Sequence, residues 1–477
     1  MSIKIGMKVS YISGNFEILH AGHIRIMSYA KSISDYLIVG VYVDPQKKLT
    51  TSIDDRIRSL EKVDIIDEIK IIDRNEFEII GELRPNFIIK SPEHKGKVDD
   101  LQKYCEGFGT QIIFTSANIF NQASISGQLS PEFPLSMKFP DDYVKRHNIT
   151  RHSIKRIIKN FSKSHVFVVG DLIIDEYVDC HPIGMSQEDP TLVVTPQKKE
   201  KFLGGSAIVA AHLIGLGAQV DYASIVGADE IGGEAGRFLD DYGINYKLFV
   251  DGTRCTSLKQ RIRAKGKTLL RISHLSDHDV GESICDAIYH HFINNIQSYN
   301  MVILSDFNYG CLPTEFANKI SSLAKEHGIP VVADSQASSQ LSDISRFQNL
   351  SFLTPTEHEV QLALNDRKSN LVILAEKLAN KTETDQLVIT LGESGIIIYN
   401  AAGGIKTDRI GALNLQPTDV SGAGDSFLSA SSLALSAKAN IWEAALIGSF
   451  MAAIQVQRLG NRPITRNALE KILGYLE

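Results

Sequence analysis

Short apolar runs alternate with segments of helical periodicity along most of the chain, and this alternation limits the possible fold more than any other feature. Near the N-terminus, the run KVSYIS is followed by a helical pattern through Ile24, Met27 and Ala30, and then by the run YLIVGVYV. A strand, a helix and a second strand in this order form a βαβ unit, which is typical of a parallel sheet. The sequence therefore predicts an α/β fold.

The alternation occurs in two series of different length. The first series ends near residue 115, and the second begins at SHVFVVGDLIIDEY and is about twice as long. Residues 127–142 contain three prolines and no sustained period, which is typical of a linker. At about 150 residues per domain, 477 residues suffice for two or three domains. We predict a small Rossmann-like domain over residues 1–126, a linker over 127–163 and a larger α/β domain over 164–477.

Composition excludes several classes of protein. The apolar fraction of 43% and the charged fraction of 22% are those of a soluble globular chain. A net charge of −6 supplies no general attraction for nucleic acid, so we expect no nucleic-acid partner. The five cysteines form no CxxC pair, which argues against a disulfide framework or a zinc cluster. Lys and Gly interrupt the N-terminal apolar residues and no apolar run reaches about 18 residues, so we predict a cytoplasmic protein without a membrane span.

The first motif with chemical content is GNFEILHAGH at residues 14–23, between a predicted strand and a predicted helix. His20 and His23 are three residues apart, so in a first helical turn both imidazoles face the helix N-terminus. Gly22 lets a phosphate approach the backbone N–H groups closely. Such a site can stabilise the negative charge that develops on a nucleotide α-phosphate during in-line attack.

This segment resembles the signature of the cytidylyltransferase-like nucleotidyltransferases at all positions but one, where Glu17 replaces the usual Asp. The resemblance implies catalytic roles for His20 and His23. It also implies that nucleotide or phosphate contacts come from Gly14, Phe16, Gly22, Lys47, Lys48, Arg56 and Lys90.

The second motif, DVSGAGDS at residues 419–426, precedes a helix-compatible run. Gly422 and Gly424 free the backbone to form a nest of N–H groups that can hold a transferring phosphoryl group. Asp425 would lie in the first helical turn beside this anion hole, where a carboxylate can accept the proton of an attacking sugar hydroxyl.

Residues 164–477 resemble the ribokinase-like, or PfkB, carbohydrate kinases, which implies an α/β/α domain with a small β lid. The resemblance makes Asp425 the catalytic base and the segment from Ser421 through Gly422 and Ala423 to Gly424 the anion hole. Sugar contacts are implied for Asp171, Asp175, Gly204 and Gly205, and ATP contacts for Thr390, Gly392 and Gly395. It further implies ATP and Mg²⁺ as cofactors, a role for Glu359 in holding the metal, and a monovalent cation near the anion hole.

Within that family, the kinase segment resembles the bifunctional heptose 7-phosphate kinase/heptose 1-phosphate adenylyltransferases, here with the order of the two domains reversed. The likeness places Lys259, Arg261 and Arg271 in register with basic residues of those enzymes, and implies a substrate contact for Asp306. It implies sugar phosphates and nucleotides as ligands, an ADP-heptose product, and a homodimer formed through strands near residues 176–200.

Four positions depart from the kinase pattern: Ile208 replaces Asn, Tyr309 and Gln336 replace Lys, and Thr356 replaces Asn. Two alternatives therefore remain open. One is a kinase joined to a cytidylyltransferase that acts on another sugar or polyol phosphate, since the residues do not separate CTP from ATP. The other is an active transferase joined to a degraded kinase module that senses a ligand.

Overall fold

The structure, a computed structural model, describes residues 7–16, 21–43, 52–61, 63, 65–73, 75–90, 99–114, 139–336, 343–402, 404–414 and 417–473. It divides into two units, Met1–Leu135 and Ser136–Glu477. Of the predicted site residues, His20 and Lys47 lie outside the described residues, as do Glu17 and Lys48.

The N-terminal unit is built on one parallel five-stranded sheet, in the order β3-β2-β1-β4-β5. Buried apolar side chains such as Tyr11, Ile38 and Val39 lie on its strands, because helices cover both faces of a parallel sheet. The order reverses beside β1, which is where open α/β sheets bind ligands at their carboxyl edge. The elements are β1 (Val9–Gly14), α1 (Ala21–Ser32), β2 (Tyr36–Tyr42), α2 (Ile53–Glu61), β3 (Glu68–Ile72), α3 (Glu76–Leu83), β4 (Phe87–Lys90), α4 (Asp99–Glu106) and β5 (Gln111–Phe114).

Two helices precede the first strand of the C-terminal unit, within the segment that the sequence predicts as linker. They are α5 (Asp141–Arg146) and α6 (Arg151–Asn160). Tyr143 donates its hydroxyl proton to the carbonyl of Trp442, and the His147 ring stacks on the Trp442 ring at 4.1 Å. The amphipathic α6 also buries Ile154, Ile157 and Ile158. Residues 139–163 therefore pack as part of the kinase-like unit.

The C-terminal unit contains a nine-stranded sheet in the order β10-β9-β6-β13-β14-β15-β16-β17-β18, in which only the β16-β17 and β17-β18 pairs are antiparallel. Its strands are β6 (His165–Gly170), β9 (Gln219–Val226), β10 (Asn245–Val250), β13 (Met301–Asp306), β14 (Val331–Ser335), β15 (Phe352–Leu353), β16 (Gln386–Thr390), β17 (Ile396–Asn400) and β18 (Thr407–Ile410). Its helices are α7 (Ser206–Gly215), α8 (Glu230–Asp241), α9 (Glu282–Asn295), α10 (Thr314–Glu326), α11 (Glu357–Leu364), α12 (Leu371–Thr382), α13 (Ala423–Ser436), α14 (Ile441–Gln455) and α15 (Arg466–Ile472).

A second, four-stranded sheet in the order β12-β11-β7-β8 forms the lid that the family resemblance implies. Its strands are β7 (Leu172–Met185), β8 (Leu192–Gly205), β11 (Ser257–Ala264) and β12 (Lys267–His274). The α/β fold with a Rossmann-like domain and a ribokinase-like domain is thus confirmed. Among the residues described, no helix combines the length and the apolar character needed to cross a membrane.

Candidate active sites

In the N-terminal unit, the described motif residues lie at the carboxyl edge of the sheet. Gly14 ends β1, and Phe16 follows in the left-handed region at a φ of 48°. His23 lies in the first turn of α1, where its ring meets the Phe16 ring edge-on with centroids 5.2 Å apart. A Cβ at Gly14 would lie only 3.1 Å from the Phe16 ring. The glycine therefore lets Phe16 fold back and hold the His23 imidazole at the helix N-terminus.

Lys90 ends β4 and takes part in a polar network that the sequence did not reveal. Its ammonium donates to Ser13 Oγ at 2.8 Å and to Glu76 Oε1 at 2.9 Å. The Tyr42 hydroxyl donates to the other oxygen of Glu76 at 2.6 Å. Burial favours a raised pKa for Glu76, but the Lys90 charge and these hydrogen bonds outweigh burial and lower that pKa. Lys90 is thus fixed beside the motif by an ionised carboxylate.

Arg56, for which the resemblance implies a phosphate contact, is held by backbone carbonyls. Its guanidinium is buried, with 4% of the residue exposed. Nη1 donates to the carbonyls of Asn15 at 2.7 Å and Tyr42 at 3.1 Å. In this structure Arg56 therefore ties the ends of β1 and β2 together and shapes the edge on which a nucleotide would lie.

In the C-terminal unit, the predicted anion hole lies at the N-terminus of α13. Gly422 is the N-cap residue with a φ of 73°, and a Cβ there would lie 2.0 Å from Asn461 Oδ1. Only glycine can meet both conditions. A Cβ at Gly424 would meet nothing within 4 Å, so the first turn is open to an approaching phosphate. Ser421 and Ala423 flank Gly422, and the Ser421 N–H donates to Asp419 at 3.1 Å.

Asp425 lies in the first turn of α13 with 6% of the residue exposed. Burial, and after it the negative charge of Asp175, raise its pKa to about 7, although Lys259 and a hydrogen bond from Gln336 act in the opposite direction. Gln336 Nε2 donates to Asp425 Oδ1 at 3.0 Å. A carboxylate that titrates near neutral pH suits a general base at physiological pH.

This pKa predicts the pH dependence of the kinase reaction. Only the ionised carboxylate can accept the hydroxyl proton, so the rate should rise with pH, with a midpoint at the Asp425 pKa of about 7. Gln336→Leu removes a hydrogen bond to the ionised form and should move the midpoint to higher pH, whereas Gln336→Lys adds a positive charge and should move it to lower pH. Initial rates at saturating substrate across the pH range measure both shifts, and unchanged midpoints in both variants would contradict this assignment.

The sugar side of the site is formed by the lid. Asp175 on β7 pairs with the Arg261 guanidinium on β11, and Asn461 Nδ2 approaches the other carboxylate oxygen at 3.4 Å. A Cβ at Gly204 would lie 2.6 Å from Asp175 Oδ2, and a Cβ at Gly205 would lie 2.3 Å from the Asp171 carbonyl. The glycine pair thus allows β8 to pass close to these acids.

Lys259 reaches the same region, with its ammonium 5.3 Å from the Phe307 ring centroid and 5.1 Å from that of Tyr309. The aromatic Tyr309, which stands where the family has Lys, therefore presents its ring to a cation carried by β11 of the lid. Arg271, on β12, lies on a strand whose residues are all exposed.

Asp171 and Asp306 are buried at the strand ends, but their carboxylates hold the protein itself. Asp171 accepts the backbone N–H groups of Phe307 at 2.7 Å and Cys311 at 3.1 Å through its two oxygens. Asp306 accepts Arg346 Nη2 at 2.8 Å and Ser335 Oγ at 2.6 Å. Both acids therefore organise the loop after β13, and their sugar contacts stay predictions.

The nucleotide side lies at the ends of β15 and β16. Thr390 ends β16 and bridges to Thr356, and Gly392 and Gly395 have φ values of 58° and 92° in the turn that follows. A groove there is lined by Thr356, Glu357, His358, Gln361, Thr390, Leu391 and Gly392. This groove lies at an open edge of the domain, and an adenosine group could lie in it.

Thr356, which stands where the family has Asn, retains part of that residue's role by capping a helix. It caps α11, accepting the Glu359 N–H at 3.2 Å while the Glu359 carboxylate accepts the Thr356 N–H at 2.7 Å. This capping box fixes Glu359 at the start of the helix. Burial, then the charge of Glu359, then that of Asp425 raise the pKa of Asp334 well above its usual range, so this crowded carboxyl favours its protonated form.

Sequence reasoning missed several residues that shape the kinase site: Asp334, Asp419, Gln455 and Asn461. Asp334 lies within β14, which otherwise has the pattern of an ordinary apolar strand, and Gln455 lies at the end of a helix that is otherwise apolar. A polar residue inside an apolar helix is a usable signal, because burial without a partner is costly. Ile208, in contrast, is fully buried in α7 and adds only to the core.

Two motifs predicted to bind phosphate, each in its own α/β unit, are the arrangement expected of a two-domain transferase. Sequence models of known families agree with this division. The pfkB family carbohydrate kinase model matches residues 163–467, and the cytidylyltransferase-like model matches residues 11–123. The chain belongs to the pfkB family of carbohydrate kinases, and it carries a cytidylyltransferase-like domain before the kinase domain.

Similar proteins include the bifunctional protein HldE from Citrifermentans bemidjiense, 29% identical over 330 residues that make up 68% of this chain and 66% of the relative. HldE from Aliarcobacter butzleri is 31% identical over 323 residues, or 66% of this chain and 64% of the relative. The match thus spans slightly less than two thirds of the length of these relatives. The crystal structure of phosphofructokinase-2 from Escherichia coli in complex with potassium has a TM-score of 0.53 at 15% identity, covering 66% of this chain and 98% of that chain.

Proposed function

We propose that the chain is a bifunctional enzyme of sugar-nucleotide synthesis that acts on a heptose. Its C-terminal domain transfers the γ-phosphoryl group of ATP to the anomeric hydroxyl of a heptose 7-phosphate. Its N-terminal domain joins the nucleotidyl group of ATP to a heptose 1-phosphate and releases pyrophosphate. The observation that carries the proposal is the position of Asp425, buried in the first turn of α13 and near enough to Asp175 of the lid for that charge to raise its pKa.

In the kinase reaction, Asp425 accepts the proton of the anomeric hydroxyl as its oxygen attacks the γ-phosphorus. An O–P bond forms, the bond between the γ-phosphorus and the β,γ-bridging oxygen breaks, and ADP leaves. The backbone N–H groups from Gly422 to Gly424 receive the charge of the transferring group, assisted by the α13 dipole. Asp175 and Arg261 orient the sugar hydroxyls because both are held in the lid.

Magnesium fits the nucleotide edge. The described residues contain no group of three or more His, Cys, Asp or Glu side chains that could hold a metal ion. The ion would therefore be held mainly through the nucleotide phosphates and water, and Glu359, fixed at the start of α11 by its capping box, would be the acidic residue that assists. The crowding of Asp334 by Glu359 and Asp425 supports this placement, because a bound cation would offset the repulsion that disfavours ionisation of Asp334. When bound, Mg²⁺ would neutralise charge on the phosphates.

In the transferase reaction, the sugar 1-phosphate attacks the α-phosphorus of the nucleotide and pyrophosphate leaves. His20 and His23 stabilise the charge that develops at that phosphorus. Lys90, held by Glu76 and Ser13, supplies a positive charge at the same edge. We include ATP, rather than CTP, as the nucleotide in this proposal. Contacts to the edge of the base would decide between the two.

Product analysis by mass spectrometry tests both activities separately. The purified chain is incubated with ATP and Mg²⁺, and with heptose 7-phosphate in one tube and heptose 1-phosphate in the other. We expect a heptose bisphosphate in the first and ADP-heptose in the second. Product in the second tube alone would indicate a kinase module that binds without turnover. Absence of both products would contradict the sugar assignment and favour a cytidylyltransferase for another sugar or polyol phosphate.

We also propose a homodimer that forms through the lid. The outer end of β7 exposes Ile183 and Met185 at 65% and 61%, and β12 exposes Leu270 at 56%. Apolar side chains exposed together on one sheet are typical of an interface. Light scattering should give twice the chain mass for the wild type. Ile183→Asp with Leu270→Asp should give the single chain mass, and a monomeric wild type would contradict the proposal.

A further inference from the structure

Three oxygen atoms beside the anion hole converge on one buried amide nitrogen. Gln455, the last residue of α14, is fully buried. Its Nε2 donates to the carbonyl of Ser421 at 3.2 Å and to the carbonyl of Gly460 at 3.1 Å, and lies 3.4 Å from Asn461 Oδ1. These three oxygen atoms fix the orientation of the Gln455 amide, because an amide rotated by 180° would direct its own oxygen at three acceptors.

Ser421 is directly adjacent to Gly422 of the anion hole, so the amide acts on the loop that receives the phosphoryl group. The same segment is linked to the sugar side, since Asn461 also reaches Asp175 at 3.4 Å. The carbonyl of Gly460 belongs to the loop that follows α14, opposite the anion-hole loop. Gln455 therefore joins two loops whose separation sets the shape of the anion hole.

The nearest carboxylate has its charge satisfied by the protein. Asp419 accepts the Ser421 N–H at 3.1 Å through Oδ1, and the Tyr177 hydroxyl at 2.9 Å and the Gly460 N–H at 3.1 Å through Oδ2. Burial favours a raised pKa for Asp419, but these hydrogen bonds outweigh it and keep the pKa below the usual range. The ionised carboxylate thus has donors without any added cation.

The family resemblance implies a monovalent cation near the anion hole, and the related E. coli phosphofructokinase-2 was crystallised in complex with potassium. The residues of this chain do not fit such an ion. A cation bound by the Ser421 and Gly460 carbonyl oxygens would compete for the point where the Gln455 nitrogen lies, and the amide N–H groups would repel it. The N–H groups and a bound ion cannot share that position.

We propose that the side-chain amide of Gln455 takes the place of a monovalent cation beside the anion hole, so that the kinase domain works without potassium. The amide supplies two N–H donors, each with partial positive charge, to the same carbonyl oxygens that an ion would bind. It holds the Ser421 and Gly460 loops together permanently, whereas an ion would do so only when bound. The inference rests on the proposed kinase function of this domain.

Potassium titrations of the full-length chain test the inference. The protein is exchanged into tetramethylammonium buffer, and heptose 7-phosphate phosphorylation is measured as KCl replaces the tetramethylammonium salt at constant ionic strength. The wild-type rate should change by less than about twofold. Gln455→Ala should be at least about tenfold slower without potassium, the effect of losing a buried hydrogen-bond group, and potassium should restore most of that loss. Gln457→Ala, a matched truncation two residues along the chain, should behave like the wild type.

Thermal unfolding in the same buffers provides a measurement that needs no turnover. Potassium should raise the Tm of Gln455→Ala relative to tetramethylammonium, because the vacated position becomes an ion site, and should leave the wild-type Tm unchanged. Strong stimulation of the wild type by potassium would overturn the inference. So would a Gln455→Ala variant that is slow in all salts with no potassium-dependent Tm. If the wild type phosphorylates no sugar in any salt, the proposed function fails, and the Tm comparison alone decides the role of Gln455.

Discussion

Asp425→Asn should lower the rate of heptose phosphorylation by roughly 10² to 10⁴-fold, the usual contribution of a general base. The amide is the same size as the carboxylate and can still accept a hydrogen bond from Gln336 Nε2, which lies 3.0 Å from Asp425 Oδ1. It cannot accept the hydroxyl proton. The KM values for ATP and sugar should change little, because the backbone N–H groups of α13 remain in place. Steady-state kinetics of the purified variant measure kcat and KM separately.

The matched control for this substitution is Asp286→Asn. Asp286 lies on the exposed surface of α9, and its side chain pairs with Lys319 at 3.5 Å. The same chemical change there should leave both kcat values unaltered. Kinase activity of Asp425→Asn within a few-fold of the wild type would show that this carboxylate is not the base.

His23→Ala should lower nucleotidyl transfer by about 10² to 10³-fold, the loss expected when one donor to developing charge is removed. The imidazole lies in the first turn of α1, against the Phe16 ring, so truncation leaves the strand and the helix intact. Release of pyrophosphate from ATP and heptose 1-phosphate provides the measurement. The kinase reaction should be unchanged, since its site is formed by the other unit.

His290→Ala on α9 is the control for loss of an imidazole, because His290 is exposed and far along the chain from either motif. It should reduce neither activity. Full nucleotidyl transfer by His23→Ala would remove His23 from the mechanism and leave the charge stabilisation to other groups of the motif.

The sequence predicted the two sheets well for a physical reason. Parallel strands covered on both faces must be apolar along their length, so runs such as HVFVVG and MVILSD can be recognised as strands. The glycines of the two motifs were also readable, because a positive φ or a close approach restricts a position to glycine, as at Gly422. Both kinds of signal are local.

Contacts between distant segments could not be predicted in the same way. That Asp171 anchors the loop at Phe307 depends on β6 lying beside β13, which no local pattern specifies. The role of Gln455 depends likewise on two loops meeting at the end of α14. The prolines of residues 127–142 predict a linker over 127–163, although within it α5 packs on the kinase unit through Tyr143 and the nearby His147.

One experiment separates the two proposed catalytic sites of this chain. Both reactions are followed by mass spectrometry in three proteins: the wild type, Asp425→Asn and His23→Ala. We expect the wild type to form both products. Asp425→Asn should lose only the heptose bisphosphate, and His23→Ala should lose only ADP-heptose. A wild type that forms one product, or either variant losing both, would contradict this expectation.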